Sequence, residues 1–128
     1  MPVRAYMDSD ILIAYLSKER SAQEFLRWQS SHGMDLWTGA MQRAEVLFFM
    51  RPGEEPDTLY FMSKFKTASV TPQAVDAAGV LFRAWNRSHR TGVADALLAA
   101  TVMLTGGQLF TKNLKHYPMP GVAVSKAW

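Results

Sequence analysis

VADALLAATVMLTGGQLFT, residues 93–111, sets the fold class. Val93–Thr105 is apolar nearly all round, which predicts a helix buried at the centre of the protein. Gly106-Gly107 stops that helix. Gln108–Thr111 then reads as a strand. Asp95 is the one acid in the stretch, and it is the only acid between Ala77 and Trp128.

Outward from this stretch, strands and helices alternate. Val3–Met7 is a first strand ending at Asp8, after which Ser9 or Asp10 can cap a helix through Leu16. A second helix is predicted over Ser21–Ser31 and stops at His32-Gly33. Asp35–Thr38 is a short strand, and Ala40–Met50 a helix broken by Arg51-Pro52-Gly53. Pro56–Phe65 is helical and Thr67–Val70 a short strand. Thr71 caps the next helix with Pro72 at its first position. Val75, Ala78, Phe82 and Trp85 share one face of it. Asn113–Tyr117 is a short turn or helix, and Val122–Val124 a last strand. The alternation predicts a three-layer α/β/α sandwich with a mostly parallel central sheet.

The 128 residues suit a single domain spanning 1–128, with 48% hydrophobic and 20% charged residues. The net charge of +3 suits a polyanionic partner without requiring one. There is no cysteine, so disulfides and thiolate metal sites are excluded. MPVRAYMDSD has no apolar signal core, and Ala96–Leu104 falls far short of a membrane span. A cytoplasmic protein with no membrane partner is the expectation.

Four carboxylates stand where the apolar pattern disfavours them: Asp8, Asp10, Glu45 and Asp95. Asp8 and Asp10 follow the first strand. Glu45 shares a helix face with Met41, Phe48 and Phe49. Such groups are costly unless a cation or proton compensates them. Sites in open parallel sheets form past the C-terminal strand ends, where Asp8, Asp10, Thr111 and Asn113 all fall. One shared site for a hard divalent metal is the chemistry this suggests. Each residue also has a plainer alternative. Asp8 and Asp10 can cap a helix, and Asp95 can be a first-turn acid. Glu45 can pair with Arg43, and Thr111 and Asn113 can form turns.

Taken with their order, these segments resemble the PIN-domain ribonucleases. MDSDILIAYL is similar to the opening motif of that family, an aspartate at the end of the first strand. TGAMQRAEVLFF resembles its second segment, a Ser/Thr strand end and a helix with one glutamate. VADALLAATVMLTGGQLFTKNLKHYPMPGV resembles its third and fourth segments, the last of the pattern T-x-(N/D)-x-x-(H/D)-aromatic. The resemblance spans essentially the whole chain. The compact form looks like VapC-type toxins of toxin–antitoxin pairs. It implies Asp8, Glu45 and Asp95 as core acids with Asn113 at the fourth position. Asp10 is an extra carboxylate where the family often has Asn or Ser, and Asn113 is neutral where many members have Asp.

The resemblance further implies an endoribonuclease dependent on Mg²⁺ or Mn²⁺. Asp8 and Asp95 would be ligands and Glu45 a ligand through water or the group that positions the nucleophile, with Asp10 as a further ligand or a cap. Ser9 and Thr111 would orient the carboxylates or the phosphate by hydrogen bonds. Arg87, Arg90, Lys112, Lys115 and His116 flank Asp95 and Asn113 and are candidates for RNA contact. Trp37 and Tyr117 are candidates for base stacking, whereas Trp85 is expected in the core. LFFM (47–50) and LYFM (59–62) fill the core or form a groove for an amphipathic partner helix. A small cognate antitoxin and a homodimer are the protein partners the resemblance implies. Two other functions compete: a haloacid-dehalogenase-like phosphatase, suggested by the Asp-x-Asp, and a PIN-like module that binds RNA or protein without cutting.

Overall fold

A computed structural model describes residues 2–128. The first strand, β1, spans Arg4–Met7 and runs into α1, Ser9–Leu16, and α2, Arg20–Ser31. Then come β2, Asp35–Gly39; α3, Ala40–Leu47; α4, Glu55–Met62; and β3, Lys66–Ala68. The long helix α5, Pro72–His89, precedes α6, Val93–Thr105, and β4, Gln108–Thr111. A turn of 3-10 helix, Leu114–His116, leads to β5, Val124–Lys126. The five strands form one sheet in the order β3-β2-β1-β4-β5, and every pairing is parallel.

Parallel neighbours need crossover helices, and these cover both faces. Period-two alternation along β1 sends Ala5 and Met7 to one face and Tyr6 to the other. The Ala5 and Met7 side packs with Ile11, Leu12, Leu26, Phe61 and Met62. The Tyr6 side packs with Leu98, Ala99, Val102 and Leu109. Trp85 packs against that second cluster, as its helix face predicts. Helix α6 is buried from Ala96 to Val102 apart from half-buried Leu97, whereas Val93, Met103 and Leu104 are exposed, so its ends reach the surface although the expectation was burial throughout.

Gly107 is required at its position. Its φ of +115° is one that side-chain-bearing residues avoid, and an added Cβ would lie 2.7 Å from the Arg4 carbonyl oxygen. This lets α6 turn back directly into β4. Thr71 caps α5 as predicted, its hydroxyl accepting from the Ala74 N–H at 3.1 Å. Among the described residues no helix is long and apolar enough to cross a membrane.

Three expectations shift. The cap of α1 is Asp8, not Ser9 or Asp10, because the chain is still extended at Asp8. Helix α3 stops at Leu47 rather than Met50, since Phe48 and Phe49 are 79% and 80% exposed and no core holds them. The last strand lies at Val124–Lys126 rather than 122–124. The chain first delivers Tyr117 and Met119 into the core and turns at Gly121 before it straightens.

The strand order places β1 between β2 on one side and β4 on the other. The β1-to-β2 connection takes α1 and α2 over one face, and α5 and α6 return over the other to reach β4. A crevice therefore opens between the C-terminal ends of β1 and β4, the usual ligand position in such sheets.

Candidate active site

Asp8 begins where β1 ends. Its backbone N–H still donates to the Phe110 carbonyl at 3.0 Å, which extends the ladder one residue. Its side chain caps α1, Oδ1 accepting from the Ser9 N–H at 2.8 Å. The other oxygen, Oδ2, accepts from the Tyr117 hydroxyl at 2.8 Å and from Thr111 Oγ1 at 3.0 Å. Asp8 is thus both a cap and a member of the cluster.

Asp10 sits in the first turn of α1 and points back at β4. Its Oδ2 accepts from the Lys112 backbone N–H at 2.9 Å and from Thr111 Oγ1 at 3.1 Å. Its Oδ1 is buried with no hydrogen-bond partner among the described residues. Asp95, in the first turn of α6, accepts from the Gly92 N–H at 2.8 Å through Oδ2. Its Oδ1 accepts from the Tyr117 hydroxyl at 3.2 Å. The first-turn role and the shared site therefore coexist. Glu45 is half-buried on α3 and feels the charges of Asp95 and Asp10, with Ser9 offering it a hydrogen bond. Arg43 does not pair with it; its guanidinium reaches Thr67 Oγ1 at 3.5 Å.

A hydrogen count shows what this site lacks. The hydroxyls of Thr111 and Tyr117 carry one hydrogen each, yet between them they touch three carboxylates. No Lys or Arg forms an ion pair with Asp8, Asp10, Glu45 or Asp95 among the described residues. Burial, then the charges of Asp10 and Asp95, push Asp8 from 3.8 up to about 7, against the hydrogen bonds of Tyr117 and Ser9. Burial also raises Asp10, opposed by the Lys112 N–H and the Thr111 hydroxyl. Glu45 is raised by burial first and by Asp95 second. Tyr117 is held well above its usual 10 by burial and by Asp8 and Asp95, so its hydroxyl remains a donor.

These features fit a divalent cation: buried negative charge without a counter-charge, and an orphaned carboxylate oxygen. As the side chains stand, no three Asp, Glu or His among the described residues are drawn tightly enough to enclose an ion.

The remaining expected residues divide. Ser9 and Thr111 are buried within the cluster. The Asn113 backbone N–H donates to Thr111 Oγ1 at 3.1 Å, which leaves the Thr111 hydrogen for the carboxylates. Its carboxamide lies 3.4 Å from His116 Nε2 rather than on the acids. His116 Nδ1 is 3.6 Å from Asp95 Oδ2. Buried Thr91 donates to the His116 carbonyl, and Asn86 donates to the Thr91 carbonyl. These bonds tie the segment carrying Arg87 and Arg90 to the one carrying Lys115 and His116. Lys112 is partly committed, its amine 3.3 Å from Glu19 and over the Trp128 ring.

Neither Tyr117 nor Trp37 is free for stacking on bases. Tyr117 is 5% exposed. Trp37 donates to Asp35 and lies under the Arg4 guanidinium, 4.1 Å from its ring centroid. The role of Tyr117 in the acidic cluster is not evident from the sequence; the only hint is an aromatic directly after His116, two strand-ends away from Asp8.

Comparison with known proteins agrees with this geometry. The PIN domain family model matches residues 5–120. The chain is 33% identical over 114 residues to Ribonuclease VapC10 of Mycobacterium tuberculosis, which covers 88% of this chain and 85% of that one. It is 30% identical over 115 residues to Ribonuclease VapC19 of the same organism, covering 88% and 91%. Among solved structures, VapBC2 from Rickettsia felis bound to a promoter DNA fragment superposes with a TM-score of 0.78 at 17% identity, over 97% of this chain and 98% of that one. A toxin–antitoxin complex from Klebsiella pneumoniae gives 0.75 at 22% identity, with the same coverage. At those identities the two structures show a shared fold.

Proposed function

Since this chain belongs to the PIN domain family, we propose that it is a metal-dependent endoribonuclease of the VapC type, held in check by a small antitoxin. The observation that carries this is the set of three aspartates, Asp8, Asp10 and Asp95, joined by two hydroxyls at the β1–β4 crevice, with no Lys or Arg ion-paired to them among the described residues. Two curated relatives named as ribonucleases support the substrate class. The haloacid-dehalogenase-like alternative has no place in this family.

Asp8 and Asp95 would hold the cation, with Asp10 and Glu45 close enough to share its water shell. When bound, Mg²⁺ or Mn²⁺ acidifies a water for in-line attack on phosphorus and offsets charge on the phosphate oxygens. Glu45, whose carboxyl is raised by burial and by Asp95, would be the group to accept a proton from that water. Thr111 keeps Asp8 and Asp10 oriented through its single hydroxyl hydrogen. Arg87, Arg90, Lys115 and His116 would meet the RNA backbone, making binding strongly salt-dependent.

The antitoxin surface would be the cleft beside Glu45, about 570 Å³ and lined by Ile13, Leu16, Val46, Phe49 and Met50. Phe48 and Phe49 project into solvent at its edge. Exposed aromatics next to an active-site acid suit an amphipathic partner segment that also blocks substrate. The two solved structures of similar fold are toxin–antitoxin assemblies.

The test is cleavage of total cellular RNA with Mg²⁺ or Mn²⁺ against EDTA, using wild type and Asp95→Asn. Discrete fragments that need metal and vanish in the variant are expected. No cleavage by folded, metal-supplied protein would favour the non-catalytic module.

A further inference from the structure

Among the described residues, Tyr117 is the side chain that hydrogen-bonds to both Asp8 and Asp95, which face each other across the crevice. It follows the 3-10 turn, where its backbone N–H donates to the Leu114 carbonyl at 2.9 Å. Its ring packs with Tyr6, Leu98, Leu109 and Met119. Its hydroxyl lies 2.8 Å from Asp8 Oδ2 and 3.2 Å from Asp95 Oδ1. Asp8 comes from the end of β1 and Asp95 from the start of α6, and the described hydrogen bonds show no other side chain linking those two carboxylates. We infer that Tyr117 is a positioning residue for the metal: its core-anchored hydroxyl orients Asp8 and Asp95 toward one another, so that a divalent cation meets two carboxylates already aimed.

The physical basis is pre-organisation. Two like charges without a shared donor rotate apart, and the cation must then restore their geometry at a cost in affinity. The ring is buried in the second core cluster at 5% exposure, which anchors the hydroxyl from the core side. Asp8 Oδ1 is separately held by the Ser9 N–H, leaving Oδ2 as the oxygen whose direction Tyr117 and Thr111 decide. Residues that orient metal ligands in this way change metal affinity by about 10- to 100-fold when removed.

This inference rests on the metal-dependent function proposed above, and one experiment separates the two. Mn²⁺ binding is measured by titration calorimetry on wild type, Tyr117→Phe and Asp95→Asn, with melting in EDTA and RNA cleavage over a range of Mn²⁺. The phenylalanine keeps the ring and its packing, so a folded variant is expected. The inference predicts a dissociation constant about 10-fold or more weaker for Tyr117→Phe, with cleavage recovering as Mn²⁺ is raised. Equal or tighter binding in Tyr117→Phe overturns the role of Tyr117 and leaves the metal site standing. Weaker binding that excess Mn²⁺ does not rescue, with a lower melting point in EDTA, also overturns it, by showing a lesion in the fold. Absence of Mn²⁺ binding to wild type overturns both.

Discussion

Replacing Asp8 with Asn should make the metal-free protein more stable at pH 8 while abolishing its chemistry. Asp8 is raised from 3.8 to about 7 in the folded state. Between those values the folded protein keeps a proton that the unfolded chain has released, so stability falls as pH rises from about 4 to 7. Below that window the group is protonated in both states and costs nothing. Above it the full cost is present. The rise from 3.8 to about 7 corresponds to about 4 kcal/mol at full ionisation. The gain from Asn should be smaller, about 2–3 kcal/mol, since one Asp8 hydrogen bond is exchanged for another. Asn also caps helices well, so the Ser9 N–H keeps its acceptor. Its amide can donate to the Tyr117 hydroxyl, which is then free to donate to Asp95.

The assay is urea or thermal unfolding of both proteins in EDTA at pH 5 and pH 8. At pH 8 the variant should melt about 10 °C higher, and near pH 4–5 the difference should shrink toward zero. Adding Mg²⁺ at pH 8 should raise the wild-type midpoint and leave the variant nearly unmoved. Equal stabilities at pH 8 in EDTA would refute the account of Asp8 as a buried, uncompensated carboxylate.

Asp95→Asn and Glu45→Gln should each lower RNA cleavage by at least about 100-fold while remaining folded, as circular dichroism and a cleavage assay would show. Gly107→Ala should destabilise the protein by about 2 kcal/mol or more, measured by urea unfolding, because its Cβ meets the Arg4 carbonyl at a φ that alanine resists. Gln42→Ala should slow cleavage without touching substrate: Gln42 is buried on α3 and donates to the Ala94 carbonyl beside Asp95 at 3.1 Å, so its loss frees the start of α6. Phe48→Ala and Phe49→Ala should leave cleavage intact and weaken antitoxin binding by about 10-fold or more each, read by calorimetry; unchanged affinity would move the antitoxin elsewhere.

Local signals in the chain were enough for the order of elements and for the acids at strand ends. An apolar helix before Gly106-Gly107 has to bury at least its middle, and a carboxylate directly after an apolar strand falls at the mouth of a parallel sheet. Asp8, Asp10, Glu45 and Asp95 were legible because a charge interrupting an apolar pattern is visible one residue at a time. Tyr117 was not, because an aromatic after a turn reads equally as core, stacking platform or hydroxyl donor. Only the path of the chain after β4 swings its ring under the sheet and its hydroxyl between β1 and α6. Phe48 and Phe49 misled in the opposite direction. Their spacing extends the apolar face of α3, but whether an apolar face is covered depends on what packs across from it, and among the described residues Phe48 and Phe49 stay exposed. Residue type and spacing thus determined which groups carry charge and which elements bear them. Distances between segments a hundred residues apart in sequence, such as the one from Thr111 to Asp8, were decided by strand order and helix packing alone.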